Sequence, residues 1–578
     1  MTQSAAFDSA LKPYRQRQFV PAQIDLGSWE QIAPLFDSLE KQFASVDSLC
    51  TLEQWLDRWS ELSAALSEEN SRRYISMTCQ TDDPAREKCY LDFIEKIDPN
   101  LKSANFKLTK LLSASPLKKQ LPAQRYSTHI RSVDNYVELF REENIPVETE
   151  IAKLSQSYQK TIGAMTVNYQ GEEKTLTQMS RLLEEPERKL REEAWTLIAG
   201  RRLQDTDSLD QAFDDLRKLR AQIARNSGFE NFRDYTFRNF ERFDYTPADC
   251  EAFHEAVAEC FVPIARELQT KRAEKMGLDK LRPWDLSVDP DNLAPLKPFT
   301  TADDFLEKAD RVFARLDKGL QEEFQILVRN NLLDLENRKG KAPGGYQSTL
   351  SESRLPFIFM NAVGVQRDVE TLVHEAGHAF HALATREEDL YFLRGAPIEF
   401  CEVASMSMEL LTSSFLEEFY SPDEAKRARK VHLEGIIKVF PWIAQVDAFQ
   451  HWIYTHPDHT VEERRAAWRK LHARFGGIED YSGFEPALES AWHRQLHIFE
   501  YPFYYIEYGI AQLGALQVWQ NYRRDPRKAL ADYKSGLSLG SKATLPDLFK
   551  AVGAKFDFSK SAIAPLAQFV RDELNALE

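Results

Sequence analysis

Cysteine is scarce and scattered. Cys50, Cys79, Cys89, Cys250, Cys260 and Cys401 are the six in 578 residues, and no two form a Cys-x-x-Cys pair. That spacing argues against a disulfide framework and against a cysteine-rich zinc site, and it fits reduced thiols. Long apolar runs are missing too: no stretch approaches 18 uninterrupted apolar residues, so no membrane-crossing helix is expected. The opening Met1-Thr2-Gln3-Ser4 lacks the basic region and apolar run of a signal peptide, which leads to the expectation of a soluble cytoplasmic protein. Positive charge is in deficit. Lys and Arg total 74 against 90 Asp and Glu, a formal charge of -16, which disfavours nucleic acid or a membrane surface as partner. Tandem repeats and low-complexity tracts are also lacking.

What is present is core material. At 43% hydrophobic content a chain of this length exceeds what one core usually holds, so more than one packing unit is expected. Apolar residues recur at helical spacing over Trp29 to Phe43, Leu52 to Asn70 and Lys88 to Ile97. Thr78 to Arg86, with Asp83-Pro84, and Ser113 to Thr128 read as connectors. From about Val137 to Ala273 nearly every segment reads as helix, including Thr175 to Leu183, Pro186 to Arg202 and Ser208 to Asn226, the last stopped by Ser227-Gly228. Four prolines between Leu281 and Thr300 exclude a continuous helix there. Tyr346 to Leu350 and Leu355 to Val363 read as a strand or two, so a small sheet is expected just before the next helix.

That helix carries His374-Glu375-Ala376-Gly377-His378. Histidines four apart on a helix present their rings to one ion, and Glu375 is displaced from them yet close enough to take a proton from metal-bound water. Glycine at 377 weakens the helix by about 1 kcal/mol relative to alanine, and a close packing partner is one reason to tolerate it. Catalytic zinc usually takes three protein ligands. Glu399 and Glu402 sit three apart at the start of a second helix after Gly395 and Pro397, and spacing alone does not choose between them; His381, seven residues from His374, is a further candidate.

These residues, together with Arg282-Pro283-Trp284-Asp285, Pro343-Gly344-Gly345-Tyr346 and Pro356 to Asn361, resemble the M3 zinc peptidases, the family of thimet oligopeptidase and oligoendopeptidase F. The likeness is nearer to the bacterial oligoendopeptidase branch and runs from about Gly228 to beyond Gly514. It implies a mostly helical zincin in which a catalytic half, residues 201–578, holds the small sheet and one Zn2+, and a helical half, residues 1–200, covers a deep substrate cleft. It implies His374, His378 and Glu402 as the ligands, with Glu399 as an accessory acid. It also converts the crowd of His497, Tyr501, Tyr505 and Tyr508, which composition alone reads as an aromatic packing stripe, into substrate and oxyanion donors: Tyr508 and His497 catalytic, Tyr501 and Tyr505 substrate-binding.

Gly345, Tyr346, Phe359 and Asn361 are expected to position an extended substrate along a strand edge, which binds peptide backbone without demanding particular side chains. The implied activity is hydrolysis of internal bonds in short, unstructured peptides. A zinc carboxypeptidase or dipeptidyl carboxypeptidase would share the same ligands, and a non-catalytic peptide-binding protein would share the scaffold.

Overall fold

A computed structural model of the chain describes residues 11–577 and is mostly helical with two small sheets. Trp29–Phe43 forms the helix its periodicity predicts, burying Ile32, Phe36 and Leu39. The next helix, Leu49–Cys79, is longer at both ends than its apolar spacing suggests. Ser48 and Thr51 cap one another reciprocally at its start, and the buried row Leu52, Trp55, Leu56, Trp59, Leu62 and Leu66 drives it into the core. Burying each such side chain contributes about 1.5–3 kcal/mol.

The two expected connectors are shorter than read. Pro84 opens a helix, Pro84–Lys96, because the Asp83 carboxylate accepts the Ala85 and Arg86 N–H groups and a first-turn proline has no bond to lose. Helix continues to Ala114 and resumes at Ala123, leaving one 3-10 turn at Pro116–Gln120 between them.

Five short strands occur among the described residues. A hairpin, β1 (Thr166–Tyr169) and β2 (Glu172–Thr175), interrupts the region in which nearly every segment reads as helix; its turn places Gln170 and Gly171 at positive φ. The second sheet has the order β3-β5-β4, from β3 (Leu333–Glu336), β4 (Tyr346–Leu350) and β5 (Leu355–Ala362), with β3 parallel and β4 antiparallel to the central strand. Central position explains why Leu355 to Met360 are all buried. The buried Lys341 ammonium ties this sheet together, donating to the carbonyls of Asp334, Glu336 and Met360 beside the Asp334 carboxylate. Glu68 of the Leu49–Cys79 helix holds the β4–β5 turn by accepting the N–H groups of Glu352 and Ser353 and the Ser353 hydroxyl.

The chain divides into two compact units, each assembled from three stretches. One comprises residues up to Glu138, Leu296–Arg429 and Ala511–Phe556, and contains the three-stranded sheet. The other comprises Leu139–Pro295, Lys430–Ile510 and the stretch from Asp557 onward. Buried ion pairs organise this second unit: Arg191 and the exposed Arg188 converge on the buried Asp285, Arg464 meets Asp210, and Arg242 meets Glu507. Its proline-rich stretch folds without regular structure beyond the short turn Pro283–Asp285. No helix among the described residues is long and apolar enough to cross a membrane.

Candidate active site

The helix Gln366–Ala384 follows β5 after a tight corner at Gly364, whose φ is +88°. The Asp368 carboxylate accepts the N–H groups of Val363, Gly364 and Val365 and fixes that corner. One face of the helix buries Leu372, Val373, Ala376 and Phe380. The other presents His374 and His378, whose rings lie 5.0 Å apart at 83°.

A second helix, Ile398–Thr412, begins after Pro397 and crosses the first in the same unit. Glycine at 377 allows that crossing: a Cβ there would lie 2.8 Å from the Ala404 carbonyl and 3.0 Å from the Ser405 nitrogen. The buried Tyr533 hydroxyl donates to the same Ala404 carbonyl. The approach brings Glu402 Oε2 to 3.4 Å from His374 Nε2 and 3.8 Å from His378 Nε2. Donor atoms of these three residues all lie within 4.8 Å of one another. Their chemistry, two imidazole nitrogens and one carboxylate oxygen, suits a divalent ion of the zinc class.

Each donor is oriented from behind. His374 Nδ1 lies 2.6 Å from Glu409 Oε1, which holds the ring with Nε2 turned toward Glu402. His378 hydrogen-bonds the Cys401 carbonyl, and Ser405 Oγ donates to Glu402 Oε2 at 3.1 Å. Glu409 is absent from the residues singled out by sequence. The only signal for it is its place two turns beyond Glu402, on the same helix face.

Charge in this pocket is tightly coupled. Burial pushes the Glu375 carboxyl up to about 7, with Glu402 and Glu409 adding to the rise while His374 and the Gln347 N–H oppose it. The His374 ring, despite its burial, is raised well above the ordinary imidazole range by hydrogen bonds to Glu402 and Glu409. Two carboxylates around one imidazole make a site that attracts positive charge.

Of the other residues named from sequence, Glu399 is buried in the first turn of the Ile398–Thr412 helix. His381 is buried with its ring 5.8 Å from Phe400, outside the converging triplet. Gly345 lies against the histidine helix, where a Cβ would come 3.1 Å from Thr371 Cγ2. The Tyr346 hydroxyl is engaged with Thr78 and its ring stacks on Phe359 at 4.8 Å. Phe359 is fully buried, with the Lys341 ammonium 4.4 Å from its ring centroid. Asn361 Nδ2 donates to the carbonyls of Ala342 and Gly344, holding the glycine-rich loop before β4.

The second unit gathers the aromatic residues. His497, in the short helix Leu496–Glu500, has its ring 4.9 Å from Tyr505 and 6.0 Å from Tyr508, while Tyr504 lies 5.9 Å from His497 and 5.4 Å from Tyr508. Burial lowers the His497 pKa, and Gln495 Nε2 meets its Nδ1 at 2.8 Å. Tyr501 is 54% exposed, in contrast to the others. Phe503 turns the chain into the helix Tyr505–Arg524 at a φ of +69°; its N–H donates to Gln450 Oε1 at 2.7 Å and its carbonyl accepts from Arg242.

The chain is 24% identical to the group B oligopeptidase PepB of Streptococcus agalactiae over 252 residues, covering 43% of this chain and 41% of that protein. It is 24% identical to the chromosomal oligoendopeptidase F of Lactococcus lactis over 280 residues, covering 47% and 45% respectively. The chain thus aligns with less than half the length of these curated relatives. A solved structure of Pz peptidase A with an inhibitor superposes with a TM-score of 0.88 and 26% identity, over 97% of this chain and 99% of that one. Residues 19–140 match the peptidase M3 N-terminal domain, and residues 181–567 match peptidase family M3, to which this chain belongs.

Proposed function

We propose that the protein is a zinc-dependent oligoendopeptidase acting on short, unstructured peptides. The observation that carries this reading is the convergence of His374 Nε2, His378 Nε2 and Glu402 beside the buried Glu375 carboxyl. His374, His378 and Glu402 would hold the ion. When bound, it supplies a Lewis acid that polarises a carbonyl and acidifies water.

Glu375 then acts as the proton carrier, taking a proton from the attacking water and delivering it to the departing amine. Its burial beside the proposed ligands places the carboxyl where both transfers can occur. Glu409 keeps His374 in the tautomer that turns Nε2 toward Glu402. Tyr508, with His497 beside it, is the proposed donor to the developing oxyanion, and Tyr501 and Tyr505 are proposed to touch substrate. Gln347 donates its N–H to Glu375, which supports the start of β4 as the strand along which a peptide lies.

Metal analysis combined with mass mapping of products from peptides blocked at both termini tests the reading, run beside Glu375→Gln. Internal cleavage that vanishes in the metal-loaded variant is the expected result. Cleavage unchanged in Glu375→Gln overturns the mechanism; cleavage only of peptides with a free C-terminus converts the activity to a carboxypeptidase.

A further inference from the structure

The helix Pro247–Cys260 carries Cys250 and His254 one turn apart, and the helix Pro422–Thr455 carries Asp447 and His451 one turn apart. The two pairs meet inside the second unit. Donor atoms of Cys250, Asp447 and His451 all lie within 4.8 Å of one another. Cys250 and Asp447 are 0% exposed and His451 is 6% exposed. Asp447 Oδ1 and His451 Nδ1 are buried with no hydrogen-bond partner, and His451 Nε2 has only the Asp447 carboxylate beside it, 3.3 Å from Oδ2. Buried polar atoms are almost always paired, so two unpaired atoms in one place call for a missing partner.

We infer that Cys250, Asp447 and His451 bind a second divalent metal ion of the zinc class, distinct from the one proposed at His374, His378 and Glu402. Thiolate, carboxylate and neutral imidazole around a doubly charged cation give a site of zero net charge, the condition under which a fully buried ion is tolerated. Binding releases the Cys250 proton to solvent. Zinc bonds of about 2.0–2.3 Å set tetrahedral ligand atoms about 3.3–3.8 Å apart, so side-chain movements of about 1 Å close the triplet.

His254 completes the arrangement. Its Nε2 lies 2.8 Å from Asp447 Oδ2, which leaves Oδ1 for the ion and orients the carboxylate as outer groups do in metal sites. The neighbouring Arg242 does not unbalance the charge, because Glu507 pairs with it at 2.8 Å.

The ion would act as a structural tie. Gly509, one residue after Tyr508, packs against Phe253 and Ile443, one from each tied helix. The Phe503 ring lies 5.3 Å from His451. The tie therefore underlies the start of the tyrosine helix.

The test uses the full-length protein with zinc, and with cobalt(II) as a spectroscopic probe. Two metal equivalents per chain are expected in the wild type and one in the double variant His374→Ala, His378→Ala. The cobalt form should show a near-ultraviolet thiolate-to-cobalt charge-transfer band that survives in that double variant and is lost in Cys250→Ser. Metal content falling to zero in the double variant, or no thiolate band in the wild type, overturns the proposal without relying on the cysteine variant folding. A band that persists in folded Cys250→Ser overturns it as well.

Discussion

A methyl group on Gly377 would lie 2.5 Å from the Cα of Ser405, so the histidine helix and the glutamate helix meet backbone to backbone. Alanine in place of a helical glycine ordinarily stabilises by about 1 kcal/mol. Here the opposite sign is expected, because the added carbon faces main chain that cannot rotate away. Gly377→Ala should destabilise the protein by about 1–3 kcal/mol and reduce zinc retention as Glu402 is displaced from the imidazoles. Thermal unfolding and metal content after dialysis measure both, and an unchanged or raised Tm with full metal content contradicts the crossing.

Glu409 acts on the site through His374. Removing it in Glu409→Ala frees the imidazole to rotate and to exchange tautomers, so metal affinity should fall about 10–100-fold with the fold intact. Competition against a chelator reads the change. Wild-type affinity would show that the 2.6 Å hydrogen bond is incidental.

Tyr508→Phe should lower kcat by about 10²–10³ with zinc retained, as expected for loss of an oxyanion donor. The ring contacts to His497 and Tyr505 need only the aromatic body and should be kept. A wild-type kcat in the metal-replete variant removes Tyr508 from the proposed machinery.

Asp285 gives a dependence on acid. Its burial alone would raise the carboxyl, but hydrogen bonds from Arg188, the Arg282 N–H and Arg191 outweigh that and hold it below the usual carboxylate range. Since the folded value lies below the unfolded one of about 3.9, this contribution is complete above about pH 4 and is lost as pH falls through the folded value. Asp285→Asn should cost about 3–5 kcal/mol near neutrality, as for a broken buried pair, and flatten the acid limb of the stability profile. Urea unfolding from neutral pH down to about pH 3 checks it; parallel profiles for the two proteins would count against the arginine pairing.

What could be read from sequence follows the range over which each signal acts. His374, Glu375 and His378 were legible because one helical turn joins them. Glu402 needed the family resemblance, since spacing treats it and Glu399 alike. Glu409 was hidden because its partner is 35 positions away and the contact exists only after two helices cross. The Asp83-Pro84 pair shows a local ambiguity: the same two residues that mark a turn also form a good cap and first helical position. The β1–β2 hairpin escaped notice because two four-residue polar strands carry too little alternation to stand out among helices. Assembly of each compact unit from three separated stretches rests on long-range packing, which no local pattern encodes.

Phe503 sits in a backbone conformation that side-chain-bearing residues seldom adopt, yet both of its main-chain polar groups are engaged, by Gln450 and by Arg242. The disorder that Tyr504, Tyr505 and Tyr508 would otherwise retain is therefore surrendered during folding rather than at encounter with a ligand. Any molecule reaching those rings meets phenols whose backbone bearing is already set, so selectivity there is expressed as rate of fit more than as induced rearrangement.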